Sequence, residues 1–398
     1  MRTSSRTHVL LVVRHPVGGI RTFLRYVYSC FDPSKYRFSI LGPEDPEFDL
    51  LRADLEGEDV RWLQIAGPVS SKRFAAAVFK EILFGGPYDL VHSHGLTAGL
   101  CAALPARLRR RRHVVTLHDT FHQRMFQGMN GRARRALINA AMPMFDIITP
   151  VSDDAAENLL QHMASCRSTR VKKRIIVVRN GIDTSRFISA EARNLRREVG
   201  LGLNTFLIGF MGRFMSPKGF RYLLEAVEII RDQYRPSLQP VILTFGQGGF
   251  IREEQALVRR KGLEGCCYFM PFVADIASTI RGLDVIAMPS LWEACSLLPM
   301  EAMVAGTPII GTNVIGLRET LRDSPAVMVS ARDSASLARA IAQEMVHPSK
   351  EASEAFRAEA AERFDVTRQA KGIESLYSEL LRRTRSRDDE PGHPTSIL

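Results

Sequence analysis

Short apolar runs recur along the whole chain, and between them lie segments whose apolar residues return at helical spacing. This alternation is the strongest constraint on the fold. A strand that is apolar throughout must be covered on both faces, and helices linking parallel strands provide that cover. In the first half the runs are His8–Val13, Arg37–Leu41, Asp89–His92, His113–Leu117 and Ile147–Pro150. In the second half they are Thr205–Met211, Val241–Phe245, Cys267–Met270, Asp284–Met288, Thr307–Gly311 and Ala326–Val329. Each set is long enough for one doubly wound, Rossmann-like α/β domain. Asn180-Gly181, between the two sets, is a turn signal. Domains at 1–180 and 181–365 are therefore expected. Beyond Asp365, Ile373, Leu376, Tyr377 and Leu380 are spaced for one helix face, predicting a terminal helix over 366–384. The charged, proline-containing stretch 385–398 is expected to be a disordered tail.

Composition narrows the class. The 398 residues are 45% hydrophobic and 24% charged, as in an ordinary globular protein. No apolar stretch reaches the roughly 18 residues of a membrane span. Val9 to Val13 is too short for a signal-peptide core and is ended by Arg14-His15, so a cytoplasmic protein is expected. The six cysteines show neither zinc spacing nor a disulfide framework. The net charge of +11 comes with a cluster at Arg107, Arg109, Arg110, Arg111 and Arg112. That cluster reads either as a solvated helix end or as a peripheral contact with an anionic membrane at the inner face. No nucleic-acid motif accompanies it, so no nucleic-acid partner is expected.

The residues with most chemical content are Glu293 and Glu301. They follow the run Asp284–Met288 and precede Gly306-Thr307-Pro308, with Pro299 placed for a helix's first turn. The pattern is strand, loop, helix. In an open α/β sheet such loops lie at the carboxyl edge, where ligands bind. Loop amides and the helix start, here near Ser296, Leu297 and Leu298, suit a phosphate. Carboxylates beside them suit ribose or sugar hydroxyls, which donate to acceptor-only groups. Phosphate plus polyol describes a sugar nucleotide. Arg213 and Lys218 follow the run Thr205–Met211 and can neutralise a diphosphate. Gly212 precedes them. Gly246 and Gly248 form a glycine turn after Val241–Phe245 that lacks the full dinucleotide fingerprint. Gly18-Gly19 after the first run permits close backbone approach to a ligand. His118 closes the run His113–Leu117 and can meet a sugar hydroxyl, with Asp119 placed to orient it. His92 and His94 share one strand face, but no third ligand is evident and no metal is expected. Cys295 is expected to shape the site by packing and by its amide, not as a nucleophile.

Taken together, Gly18-Gly19, His118, Gly212-Arg213, Lys218-Gly219, Gly246-Gln247-Gly248 and Glu293, Glu301, Ala302, Gly306 and Pro308 resemble the motifs of the retaining glycosyltransferases with the two-domain B fold, family four or group 1. The resemblance covers most of the chain and is strongest from Gly209 to Pro308. It implies two Rossmann-like domains facing across a cleft, with the last helix crossing back to the first domain. It also implies a UDP- or GDP-linked sugar as donor, with no cofactor and no metal. Glu301 would hold the ribose, and Glu293 would meet the donor sugar. Arg213, Lys218 and amides near Leu297-Leu298 would hold the diphosphate. A glycan, glycolipid or small-molecule acceptor would enter near His118 and Gly18-Gly19. One departure stands out: Ala294-Cys295-Ser296 replaces the glycine pair usual after the first glutamate. Side chains there narrow what the donor pocket admits. Two readings stay beside this one: a sugar-nucleotide epimerase of the same fold, and a catalytically degenerate nucleotide-sugar-binding protein.

Overall fold

The structure, a computed structural model, describes residues 6–388 apart from 235, 236, 247, 272 and 274. Two compact units emerge: Met1–Arg179 together with Thr367–Leu398, and Asn180–Val366. Each contains one six-stranded sheet in which every neighbouring pair is parallel.

The first unit's strands are β1 (Thr7–Val13), β2 (Tyr36–Pro43), β3 (Val60–Ile65), β4 (Leu90–His94), β5 (Arg112–Leu117) and β6 (Ile147–Pro150). Their order is β3-β2-β1-β4-β5-β6. The chain builds outward from β1 on one side, then returns and builds outward from β4 on the other. The β1/β4 boundary is thus the topological switch point. Central position explains the sequence of β1: Val9 through Val13 have no exposed surface. Burying each such aliphatic side chain is worth about 1.5–3 kcal/mol. Strand β3 was not among the expected strands. It lies at the sheet edge, and exposed Arg61 and Gln64 break the apolar run that marks the others.

The second unit contains β7 (Thr205–Met211), β8 (Gln239–Phe245), β9 (Cys267–Met270), β10 (Val285–Met288), β11 (Ile309–Thr312) and β12 (Val327–Val329), ordered β12-β11-β10-β7-β8-β9. Its switch point lies between β7 and β10. All seven residues of β7 are buried, and Phe206, Ile208 and Phe210 pack with Leu223, Val227 and Ile341 in the unit's core.

The last helix runs Val366–Asp388, four residues past its expected end at 384. The remainder of the expected tail, 389–398, lies outside the described residues. From Thr367 onward this helix belongs to the first unit. Its buried Ile373, Leu376, Tyr377 and Leu380 form the predicted face, and Tyr377 meets the Phe31 and Tyr36 rings. Just before it, Val366 and Phe364 exchange backbone hydrogen bonds with Ile182. Gly181 lies so close that a Cβ there would come 2.7 Å from the Val366 Cα. Asn180-Gly181 is therefore a close-packed crossing as well as a turn. Among the described residues no helix is long and apolar enough to cross a membrane.

Candidate functional site

The loops after β7 and β10 meet at the second unit's switch point. The loop after β7 carries Gly212, Arg213, a short 3-10 turn Ser216–Lys218 and Gly219, which starts the helix Phe220–Ile229. Gly219 has φ 68°, and a Cβ on it would lie 2.0 Å from the Pro289 carbonyl oxygen. Only glycine fits there. The Leu291 amide donates to the Pro217 carbonyl at 2.7 Å, closing the seam between the loops.

This seam puts Lys218 and Glu293 in contact. Lys218 Nζ donates to Glu293 Oε1 at 2.6 Å, and the Ser290 hydroxyl donates to the same oxygen at 2.9 Å. The Glu293 amide donates to the Ile315 carbonyl, while Gly316 packs against the backbone of Glu293 and Ala294. The two charged side chains are only 19% and 14% exposed, so each charge is offset in a mostly dry place by the other. Sequence alone assigned them to different parts of a ligand; the fold makes them partners. Ser290 was missed, although its hydroxyl holds Glu293 in place.

Glu301 lies in the first turn of the helix Leu298–Ala305. Pro299 suits that turn because its missing N–H is one the helix leaves unpaired, and Gly306 at φ 73° ends the helix. Leu297 precedes the helix and is buried, while Ser296 and Cys295 form the loop before it. The Cys295 carbonyl accepts from Asn180 Nδ2 at 3.2 Å, a support that sequence reasoning did not anticipate. Burial, reinforced by the Glu319 carboxylate, pushes the Cys295 thiol up to about 12. Little thiolate forms near neutral pH, so the thiol is a poor nucleophile.

Gly212, Gly246 and Gly248 pack backbone against backbone. A Cβ on Gly246 would sit 1.8 Å from the Gly212 carbonyl oxygen, and one on Gly248 2.6 Å from the Phe214 carbonyl oxygen. Their shared role in the fold is to let the loop after β8 press on the loop after β7. Arg213 rides on this platform, exposed, with no hydrogen bond or ion pair among the described residues.

The first unit has its own candidates at the carboxyl edge of its sheet. Gly18, φ 55°, precedes the helix Gly19–Tyr28, and a Cβ on Gly19 would meet nothing within 4 Å. His118 follows β5, with its ring 4.7 Å from the Phe23 ring in an edge-on packing. Its hydrogen-bond partner among the described residues is His94, Nε2 to Nδ1 at 3.2 Å, not Asp119. The expected orienting role of Asp119 is therefore replaced by a histidine from the neighbouring strand. Desolvation holds the His118 imidazole down at about 3, and His92 and His94 are lowered in the same sense. The His92 and His94 rings lie tilted with centroids 4.3 Å apart and bond to hydroxyls. Among the described residues no group of three or more His, Cys, Asp or Glu side chains is placed to hold a metal ion.

In the basic cluster, Arg112 pairs with Asp146 at 3.0 Å. Arg107 and Arg109 sit at the carboxyl end of the helix Leu96–Leu108, where positive charge is favoured.

Two doubly wound units, each with one parallel six-stranded sheet, are the architecture of the B-fold glycosyltransferases. The model described as Glycosyltransferase Family 4 matches residues 17–186, and that described as Glycosyl transferases group 1 matches residues 205–345. The chain belongs to this glycosyltransferase family. Among similar proteins, the D-inositol 3-phosphate glycosyltransferase of Corynebacterium urealyticum is 27% identical over 316 residues, 74% of this chain and 72% of the relative. The corresponding enzyme of Corynebacterium jeikeium is 28% identical, but the match covers only 58% of either chain. The 2-deoxystreptamine glucosyltransferase of Streptomyces kanamyceticus is 28% identical over 66% of this chain and 69% of its own. Of solved structures, HepE of Anabaena in complex with UDP-glucose superposes with a TM-score of 0.77 at 22% identity, covering 94% of this chain and all of the other. Sucrose-phosphate synthase from Thermosynechococcus elongatus gives 0.75 at 19% identity, covering 95% of this chain and all of the other.

Proposed function

We propose that this glycosyltransferase moves a hexosyl group from a nucleotide sugar to an acceptor hydroxyl with retention at the anomeric carbon. The observation that carries the reading is the meeting of Lys218, Glu293 and the loop before the Glu301 helix at the second unit's switch point. Glu301 accepts from the ribose hydroxyls. Arg213 swings its exposed guanidinium onto the diphosphate, and amides near Leu297-Leu298 complete the anion site. The Lys218–Glu293 pair divides when donor binds, the ammonium turning to phosphate and the carboxylate to a sugar hydroxyl. In transfer, the bond from anomeric carbon to diphosphate oxygen breaks and the acceptor oxygen bonds to that carbon on the same face. The acceptor proton leaves with the diphosphate. Fixed cations aimed at the departing charge lower the barrier. His118 in the first unit, neutral across the physiological range, meets a sugar hydroxyl as a hydrogen-bonding group and not as a base.

The test begins with thermal stabilisation by UDP-, GDP-, ADP- and dTDP-sugars, with and without Mg²⁺. A ligand at about 100 times its Kd adds about 2.7 kcal/mol to stability. Relatives named for D-inositol 3-phosphate and 2-deoxystreptamine make small cyclic polyols the first acceptors to assay with the stabilising donor. Glu301→Ala should abolish most of the stabilisation, and Arg213→Ala should lower kcat by about a hundredfold. Unchanged kinetics in both variants would sink the site assignment. Nuclear magnetic resonance of the product settles the anomer and separates transfer from epimerisation.

For the basic cluster we propose peripheral contact with an anionic membrane, because Leu104 and Leu108, 52% and 59% exposed, flank exposed Arg107. Equal sedimentation with phosphatidylglycerol and phosphatidylcholine vesicles would dismiss it.

A further inference from the structure

Behind His118 runs an unbroken chain of buried hydrogen bonds inside the first unit. Thr149 Oγ1 lies 3.2 Å from the Val115 carbonyl oxygen and 2.7 Å from Thr116 Oγ1. Thr116 Oγ1 lies 2.7 Å from His92 Nε2. His92 Nδ1 lies 2.5 Å from the Tyr377 hydroxyl and 3.1 Å from the Tyr28 hydroxyl. The Tyr28 hydroxyl lies 2.8 Å from His94 Nε2 and 3.4 Å from the Tyr377 hydroxyl. His94 Nδ1 lies 3.2 Å from His118 Nε2.

One end of this chain is a carbonyl, which only accepts, and each hydroxyl or neutral imidazole has one hydrogen to give. With the shortest contact taken where the chain branches, the direction of every bond follows. Thr149 donates to the Val115 carbonyl, so Thr116 donates to Thr149, and His92 Nε2 donates to Thr116. His92 Nδ1 is then an acceptor, filled by the Tyr377 hydroxyl at the shortest distance. Tyr28 then donates to its nearer acceptor, His94 Nε2 at 2.8 Å, and not to the Tyr377 oxygen at 3.4 Å. His94 therefore carries its hydrogen on Nδ1 and donates to His118 Nε2. His118 must carry its own hydrogen on Nδ1.

We infer that Tyr377, on the terminal helix, is a positioning residue that fixes His118 as the Nδ1–H tautomer through Tyr28, His92 and His94. The terminal helix thereby does more than fill a hydrophobic face: it sets which His118 nitrogen is the donor. The catalytic consequence rests on the transferase reading above, whereas the tautomer itself does not. Removing the Tyr377 hydroxyl has a defined result. His92 Nδ1 then takes its hydrogen from Tyr28. His94 Nε2 must supply its own hydrogen to Tyr28, leaving His94 Nδ1 as an acceptor. His118 inverts to Nε2–H.

The experiment is long-range proton–nitrogen correlation on the full chain labelled with ¹⁵N-histidine, wild type against Tyr377→Phe, with thermal unfolding of both. His113, which bonds to Ser93 at 2.8 Å outside the chain, serves as the internal control. Wild-type His118 should be protonated on Nδ1, Tyr377→Phe should move the hydrogen to Nε2, and His113 should be unchanged. In the same variant kcat should fall about tenfold, the loss of one hydrogen bond. An Nε2–H tautomer in wild type, or an unmoved tautomer in folded Tyr377→Phe, overturns the inference. Should Tyr377→Phe not fold, Tyr28→Phe cuts the same chain one link later and should leave His118 as a mixture of tautomers. A single unchanged tautomer there overturns it equally. A tautomer shift with unchanged turnover would leave the relay standing and count against the transferase role of His118.

Discussion

At the residue scale, the Lys218–Glu293 pair is where sequence and structure inform each other most. The two residues were legible as candidates from their positions after two strands, yet nothing in the sequence paired them, because 75 residues separate them. The pairing needs β7 and β10 to be neighbours, a fact of topology and not of local pattern. It carries a prediction. Lys218→Met or Glu293→Gln alone leaves a charge in a mostly dry place, whereas the double variant leaves none. Each single change should destabilise by about 1–3 kcal/mol, and the double by less than their sum, with a coupling of about 1 kcal/mol or more. Urea unfolding of the four proteins measures this, and additive losses would mean the pair is solvated and of little account. For a related reason Asn180 was read only as a turn residue, Ser290 escaped the sequence reading, and Tyr377 was read only as part of an apolar helix face. Each is an ordinary polar residue whose importance lies in what it touches: Cys295, Glu293 and His92 respectively.

At the element scale, nearly every strand was readable because parallel strands buried on both faces must be apolar throughout. The exception, β3, shows the limit of that signal: an edge strand need not be apolar and is recognised only from its pairing with β2. The glycines divide at this scale as well. Gly246 has backbone 1.8 Å from where a Cβ would lie, whereas Gly19 has nothing within 4 Å and opens a helix. Gly246→Ala should force the loops after β7 and β8 apart and cost about 2 kcal/mol or more. Gly19→Ala should stabilise by about 0.5–1 kcal/mol through higher helix propensity. If Gly19 leaves room for a ligand, the same substitution should lower turnover while raising the unfolding midpoint. A variant both more stable and fully active would show that Gly19 serves only the turn. Calorimetry and initial rates on one preparation separate these outcomes.

At the scale of the whole molecule, the two units share an architecture but differ in what acid does to them. His92, His94, His113 and His118 are all held below the ordinary value of 6.5 by desolvation, and all lie in the first unit. The second unit contains only His347. The sign is definite. A neutral imidazole in the folded state and a charged one in the unfolded state mean that the unfolded chain binds more protons. The stabilising contribution is complete above 6.5 and is lost progressively as pH falls toward the folded value, about 3 for His113 and His118. At pH 5 His113 alone should lower the first unit's stability by about 2 kcal/mol relative to pH 7.5. His92, His94 and His118 act in the same direction. The chain supplies its own reporters, since its two tryptophans fall one in each unit: Trp62 on β3, packed edge-on against Phe48, and Trp292 beside Glu293. Urea titrations of Trp292→Phe and Trp62→Phe, each followed by the remaining tryptophan at pH 7.5 and 5, resolve the units separately. The midpoint reported by Trp62 should fall sharply with acid, while that reported by Trp292 should move little. Equal shifts would mean either that the units unfold as one cooperative body or that the first unit's histidines are hydrated when folded. His113→Gln distinguishes the two, because only a desolvated His113 makes that substitution reduce the acid sensitivity.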